Sequence, residues 1–139
     1  MKVGNYVLFE PFEYKFKKEP DLYWKIKPPT SGDEVDMARF LNRGKYVVSN
    51  EGASREDAPT LVEIMHREVA LTFAGTNIED DDGKPVLKDN ASVSSIEKVL
   101  KQLPYAMVLE IWEAIGDHCP GWGGKKVEAE GSEEEDPNS

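Results

Sequence analysis

The sequence predicts an α+β chain: an N-terminal β-hairpin or small antiparallel sheet, a bundle of about four helices, and a disordered acidic C-terminal tail. Three observations carry this. Apolar residues alternate with period two in "FEYKF" and "LYWKI". After Pro28-Pro29 the apolar spacing becomes helical. The last thirteen residues, "VEAEGSEEEDPNS", hold six acidic groups and no Lys or Arg, too polar a composition to bury anything.

The elements follow in order. Phe12, Tyr14 and Phe16 share one face of the first run, and Leu22, Trp24 and Ile26 share one face of the second. "KKEPD" between them has turn chemistry, so the two runs form a hairpin with one aromatic face. An apolar run from Tyr6 to Phe9 offers a third strand, separated from the hairpin by Pro11. The Ser31 and Glu34 pair has capping-box spacing and opens a short helix with Met37, Phe40 and Leu41 on one face, ended by Gly44. A short strand at Tyr46 to Val48 and a polar loop follow. A second capping box, Thr60 to Glu63, opens a helix over about 59 to 73 with Leu61, Ile64, Met65 and Val69 on its apolar face. "AGTNIEDDDGKPVLKDNAS" reads as a loop of nearly twenty residues, a length that is uncommon without a role. Ser92 caps a helix carrying Val93, Ile96, Val99, Leu100 and Leu103, and Pro104 separates it from a last helix. A Trp held among glycines, Gly121-Trp122-Gly123-Gly124, closes the chain before the tail. The domain therefore spans 1–123 and the tail 124–139.

At 139 residues, with 39% hydrophobic and 32% charged residues, one core is the expectation. No apolar run approaches the length of a membrane span, and the start lacks the pattern of a secretion signal, so the cytoplasm where the chain is made is the expected place. The single Cys119 excludes an internal disulfide and every Cys-rich metal scheme. The net charge of −10 is unevenly placed. With six acidic groups in the tail, the other 21 acidic residues against 17 Lys and Arg leave residues 1–126 at −4. Clustered basic residues for a phosphate backbone are missing, and no nucleic-acid partner is expected.

The search for chemistry yields no catalytic residue, cofactor or metal ligand. His66 lacks a second His at i+4, and His118-Cys119 are neighbours in sequence without an orienting third group. "EDDDGKP" departs from the EF-hand pattern, with Lys84 and Asn90 at its sixth and twelfth positions counted from Glu79. What remains is binding. Tyr6, Phe9, Phe12, Tyr14, Phe16, Tyr23 and Trp24 crowd the first third; they either cover the helices or supply an interface. Val108, Leu109, Trp112 and Ile115, with Met107 and Ile111 on the other side, make the last helix apolar all round. A monomer is not expected to bury both sides, so this helix and Trp24 are the candidate contacts for a partner or a second copy.

Three segments, "WKIKPPTSGDEVDMARFL", "PTLVEIMHREVALTFAGTNI" and "VLKQLPYAMVLEIWEAIGDHCPGWG", resemble the tail assembly chaperones of long-tailed phages and prophages. The resemblance implies a non-enzymatic protein that binds the tape measure protein, keeps it soluble until tail tube subunits polymerise around it, and is absent from the finished virion. It also implies two product lengths made by a programmed frameshift, the longer one recruiting the tail tube protein. Gly124-Lys125 can be encoded by a slippery G GGA AAA run, and a gene reading GGC AAG GTT there would exclude it. Two other readings stand beside this one: an acidic phage-encoded inhibitor that imitates nucleic acid, and a minor tail structural or completion protein.

Overall fold

The computed structural model describes residues 2–3, 6–7, 10–42, 48–49, 52–53 and 58–124. In chain order the elements are β1 (Lys2–Val3), β2 (Tyr6–Val7), β3 (Phe12–Lys15), β4 (Tyr23–Ile26), α1 (Ser31–Leu41), β5 (Val48–Ser49), β6 (Gly52–Ala53), α2 (Leu61–Leu71), β7 (Phe73–Thr76), α3 (Val93–Leu100) and α4 (Tyr105–His118). The fold is α+β, with a three-stranded antiparallel sheet of order β3-β4-β7 and four helices among the described residues. The pairs β1-β2 and β5-β6 are separate two-stranded ladders. The remaining residues of the expected strands at Tyr6 to Phe9 and Tyr46 to Val48, the expected stop at Gly44, and the acidic tail beyond Gly124 lie outside the described residues.

The hairpin forms as the alternation predicts. Phe12 pairs with Ile26 and Tyr14 with Trp24, which places the apolar side chains of both strands on one face. Between the strands, the Leu22 N–H donates to the Glu19 carbonyl at 2.9 Å, and the Phe16 N–H to that of Leu22 at 3.2 Å. Pro20 sits at the second position of this turn, where its fixed φ suits the bend.

The third strand of the sheet is not Tyr6 to Phe9 but β7, from a stretch expected to be helix end and loop. Strand β7 pairs with β4 as Trp24 to Thr76, Lys25 to Gly75 and Ile26 to Phe73. The register shifts between Lys25 and Ile26, so Ala74 is an extra residue on β7. This bulge breaks the period of two, and Phe73 and Thr76, three apart, both lie opposite buried residues of β4. Gly75 has φ +147°, and a Cβ there would stand 3.1 Å from Asp89 Oδ1, so the strand needs glycine at this point. Beyond the ladder, Asn77 accepts from the Tyr23 N–H at 2.8 Å and donates to the Asp21 carbonyl at 2.7 Å, tying β7 to the hairpin turn.

Helix starts obey capping chemistry. Helix α2 begins as expected, with Thr60 accepting from Glu63 N–H and Glu63 accepting from Thr60 N–H. It ends at Leu71, two residues short of the expected 73, because Phe73 belongs to β7. The box of α1 is one residue earlier than the sequence suggests: it is Thr30 with Asp33, not Ser31 with Glu34. Ser92 caps α3, and Pro104 stands between α3 and α4 as predicted.

Helix α2 is central, packing against α1, α3 and α4. Its Met65 and Val69 are fully buried. The sheet reaches α4 through the Tyr14 O–H, which donates to Glu110 at 2.6 Å, and through Phe12, stacked on His118 at 3.8 Å. No described helix is long and apolar enough to cross a membrane.

Candidate interaction site

The apolar residues of α4 serve the core first. Val108, Ile111 and Ile115 are at most 1% exposed, and Trp24 of the hairpin is at 0%. Met107, Leu109 and Trp112 are half-buried against the same core. Both sides of α4 thus meet the rest of the described chain, one fully at Val108, Ile111 and Ile115 and the other in part at Met107, Leu109 and Trp112. Helix α2 packs against α4, Phe12 and Tyr14 reach it from the sheet, and the chain after α4 folds back over Trp112. Phe16 and Trp24 of the aromatic first third are buried, while Phe12 and Tyr14 pack partly buried against the core; the side chains of Tyr6 and Phe9 lie outside what is described.

That return is the feature with the most specific geometry. Helix α4 ends as Cys119 N–H donates to the Ile115 carbonyl at 2.7 Å, and Trp122 N–H then donates back to the Cys119 carbonyl at 3.0 Å. Trp122 is 3% exposed, and its indole N–H donates to Glu34 of α1 at 2.8 Å. On α2, one carboxylate oxygen of Glu68 accepts from both the Trp112 indole N–H and the Gly123 N–H, each at 2.8 Å. The Gly124 N–H reaches the Trp112 carbonyl at 3.3 Å. Charge-assisted bonds of this kind are stronger than neutral ones and fix orientation. The approach is so close that a Cβ on Gly123 would collide with the Gly116 backbone, and one on Gly124 would stand 2.7 Å from the Trp112 ring. Sequence reasoning missed Glu34 and Glu68 as partners of the two tryptophans. The available signal was the glycine-flanked Trp122, since glycines around a large aromatic permit backbone to lie flat against a neighbour.

A second feature is a cleft among α1, α2 and α3. Two depressions of about 210 and 390 Å³ share Phe40 and Arg67. The smaller is also lined by Glu63, His66, Glu97 and Lys101, and the larger by Gly32, Val35, Asp36 and Arg39. The Arg67 guanidinium stands over the Phe40 ring at 4.6 Å and lies 3.2 Å from Glu97 and 3.5 Å from Asp36. Its Nε is buried and out of line for a hydrogen bond with either. Half-exposed pairs of this kind orient side chains more than they stabilise.

The titratable groups singled out in the sequence have structural surroundings. Burial pushes the His66 pKa below its ordinary value, favouring the neutral ring. Burial, and then the negative charge of Glu68, push the Cys119 thiol up, which is the reverse of what a thiolate nucleophile needs. His118 lies with Nδ1 3.1 Å from the Ala114 carbonyl oxygen. In the acidic turn, Asp80 accepts from the N–H groups of Asp82 at 2.8 Å and Lys84 at 3.0 Å. Its own N–H donates to the Lys84 carbonyl at 2.7 Å, so its carboxylate closes a tight turn between buried Ile78 and Leu87.

Among the described residues, the exposed large apolar side chains are Val35 in the middle and Leu41 at the end of α1, Leu61 and Val62 at the start of α2, and Tyr105 at the start of α4, at 40 to 59% exposure. Set against family models, curated proteins and solved structures, the chain matches none.

Proposed function

We propose that the protein is a non-enzymatic tail assembly chaperone of a long-tailed phage or prophage. In this reading it binds the tape measure protein in the host cytoplasm, holds it soluble until the tube forms, and is left out of the mature virion. The observation that carries the proposal is the placement of the three resembling segments, 24–41, 59–78 and 99–123. They supply β4, α1, α2, β7, α4 and the return through Trp122, which form one packed body rather than scattered surface.

The partner surface in this reading is the exposed apolar set on α1 and α2, Val35, Leu41, Leu61 and Val62. Exposed apolar side chains on neighbouring helices suit the apolar stripe of a partner helix. Titration of the full chain with helical tape measure segments tests this. Leu61→Asp and Val62→Asp, at exposed sites, are expected to weaken binding at least about tenfold while leaving the fold intact. Unchanged binding in both would contradict the assigned surface. The acidic inhibitor reading is favoured only by the charge of residues 127–139. Truncation after Lys126 separates the two, because a mimic loses activity with the tail and a chaperone keeps its partner.

A further inference from the structure

We infer that the outer edge of β3, together with the acidic face of α4 beside it, binds an extended basic segment of a partner protein as an added strand. Among the described residues β3 ends its sheet. In an antiparallel ladder alternate residues turn their N–H and C=O groups to the neighbouring strand, and the residues between turn theirs away. The Phe16 N–H donates to the Leu22 carbonyl, and Tyr14 to Trp24 and Phe12 to Ile26 continue the same register. Phe12, Tyr14 and Phe16 therefore direct their backbone groups to β4, and Glu13, Lys15 and Lys17 direct theirs outward. The Lys17 N–H is met by Glu110 Oε1 at 3.2 Å, and the outward position before Glu13 is Pro11, which has no N–H. Between these two stops, the outward backbone groups of Glu13 and Lys15 are bonded by no described residue, and both side chains are exposed. An open edge of this kind is a template for pairing.

Charge decides the occupant. The Glu110 oxygen that meets the Lys17 N–H also accepts from the Tyr14 O–H at 2.6 Å, so this carboxylate stands at the edge of β3. Glu113 and Asp117 follow it on the same face of α4, and Phe12 stacks on His118 at the far end, so the acidic face of α4 runs alongside the strand. Burial and the hydrogen bond to Glu110 lead in raising the Tyr14 pKa, and the charges of Glu110, Glu113 and Asp117 add to it, as three carboxylates near the strand should. Lys15 and Lys17 alternate with Tyr14 and Phe16 and so lie on the opposite face of the strand, with Glu13. An added strand turns every second side chain toward α4. Lys or Arg at those positions meets the three carboxylates, and neutral polar residues between them suit the mixed charge of Glu13 and Lys15. A second copy pairing edge to edge would bring another acidic α4 beside the first, which like charge opposes. The inference does not depend on the chaperone reading.

The test is an NMR titration of the full-length chain with a blocked peptide alternating Thr and Lys, against one alternating Thr and Glu. The lysine peptide is expected to bind at least about tenfold more tightly and to shift the Glu13 and Lys15 amides. Lys15→Pro removes an outward N–H that the β4 ladder does not use, a place where an edge strand tolerates proline, and is expected to weaken the lysine peptide at least about tenfold. Glu113→Gln should weaken it roughly two- to fivefold, the size of a surface ion pair, and carries the test with the wild-type shifts should Lys15→Pro fail to fold. Equal binding of the two peptides, shifts that leave β3 untouched, or full affinity in a folded Lys15→Pro would overturn the inference. So would shifts at Glu13 and Lys15 that grow with protein concentration in the absence of peptide, since a second copy would then be the occupant.

Discussion

Gly123 and Gly83 have nearly the same backbone angle, φ +79° and +78°, and opposite surroundings. Around Gly83 nothing lies within 4 Å of the point where a methyl group would stand, so Gly83→Ala meets only the left-handed backbone penalty, about 1 kcal/mol. At Gly123 the same methyl would meet Gly116 and the Trp112 carbonyl. Gly123→Ala is therefore expected to expel the return, shifting tryptophan emission to the red, while Gly83→Ala leaves the emission unchanged. Tyr14 gives a pH prediction. Burial, then the hydrogen bond to Glu110, raise its pKa well above the ordinary 10.0. Above pH 10 the unfolded chain releases this proton and the folded chain retains it, so stability is full below that pH and falls as pH rises. Urea titrations across pH 9 to 11 should show this fall in the wild type and a shallower one in Tyr14→Phe. Legibility at this scale is uneven. Trp122 between glycines is visible as an oddity, but Glu34 resembles a capping residue because its spacing from Ser31 is ambiguous by one residue with Thr30 and Asp33.

Among the elements, those defined by a local period are legible in the sequence and the one defined by tertiary pairing is not. The Thr60 box and the apolar face of α2 are local signals, and the helix is where they place it. Strand β7 has four residues, a glycine and a bulge, so no alternation exists to be read. It is a strand because β4 offers an open edge beside it. The cap of α2 is expected to be worth about 1 kcal/mol, measured as the loss in Thr60→Ala by chemical denaturation. On α4, Ile111→Ala should cost roughly 2 to 5 kcal/mol because the side chain is fully buried, while Met107→Ala, half-exposed, should cost clearly less. A loss of stability at Ile111 as small as at Met107 would mean that α4 does not sit in the core as described.

For the molecule as a whole, class and composition are legible early: enough apolar sequence for one core, a sheet-then-helix order and a mildly acidic body. The working surface is not, because an all-round apolar helix looks the same whether a partner or the rest of the chain covers it. Here the chain covers α4, with α2 packed on it and the Trp122 return over Trp112. The exposed apolar positions lie on α1 and α2, where Val35, Leu61 and Val62 give no separate signal from core-facing neighbours. The most direct test of the proposed role is co-expression with the long helical tape measure protein, scoring its solubility and co-purification. A chaperone is expected to give a soluble complex that forms with or without residues 127–139. A tape measure protein that stays insoluble and unassociated beside well-folded chain would contradict the role.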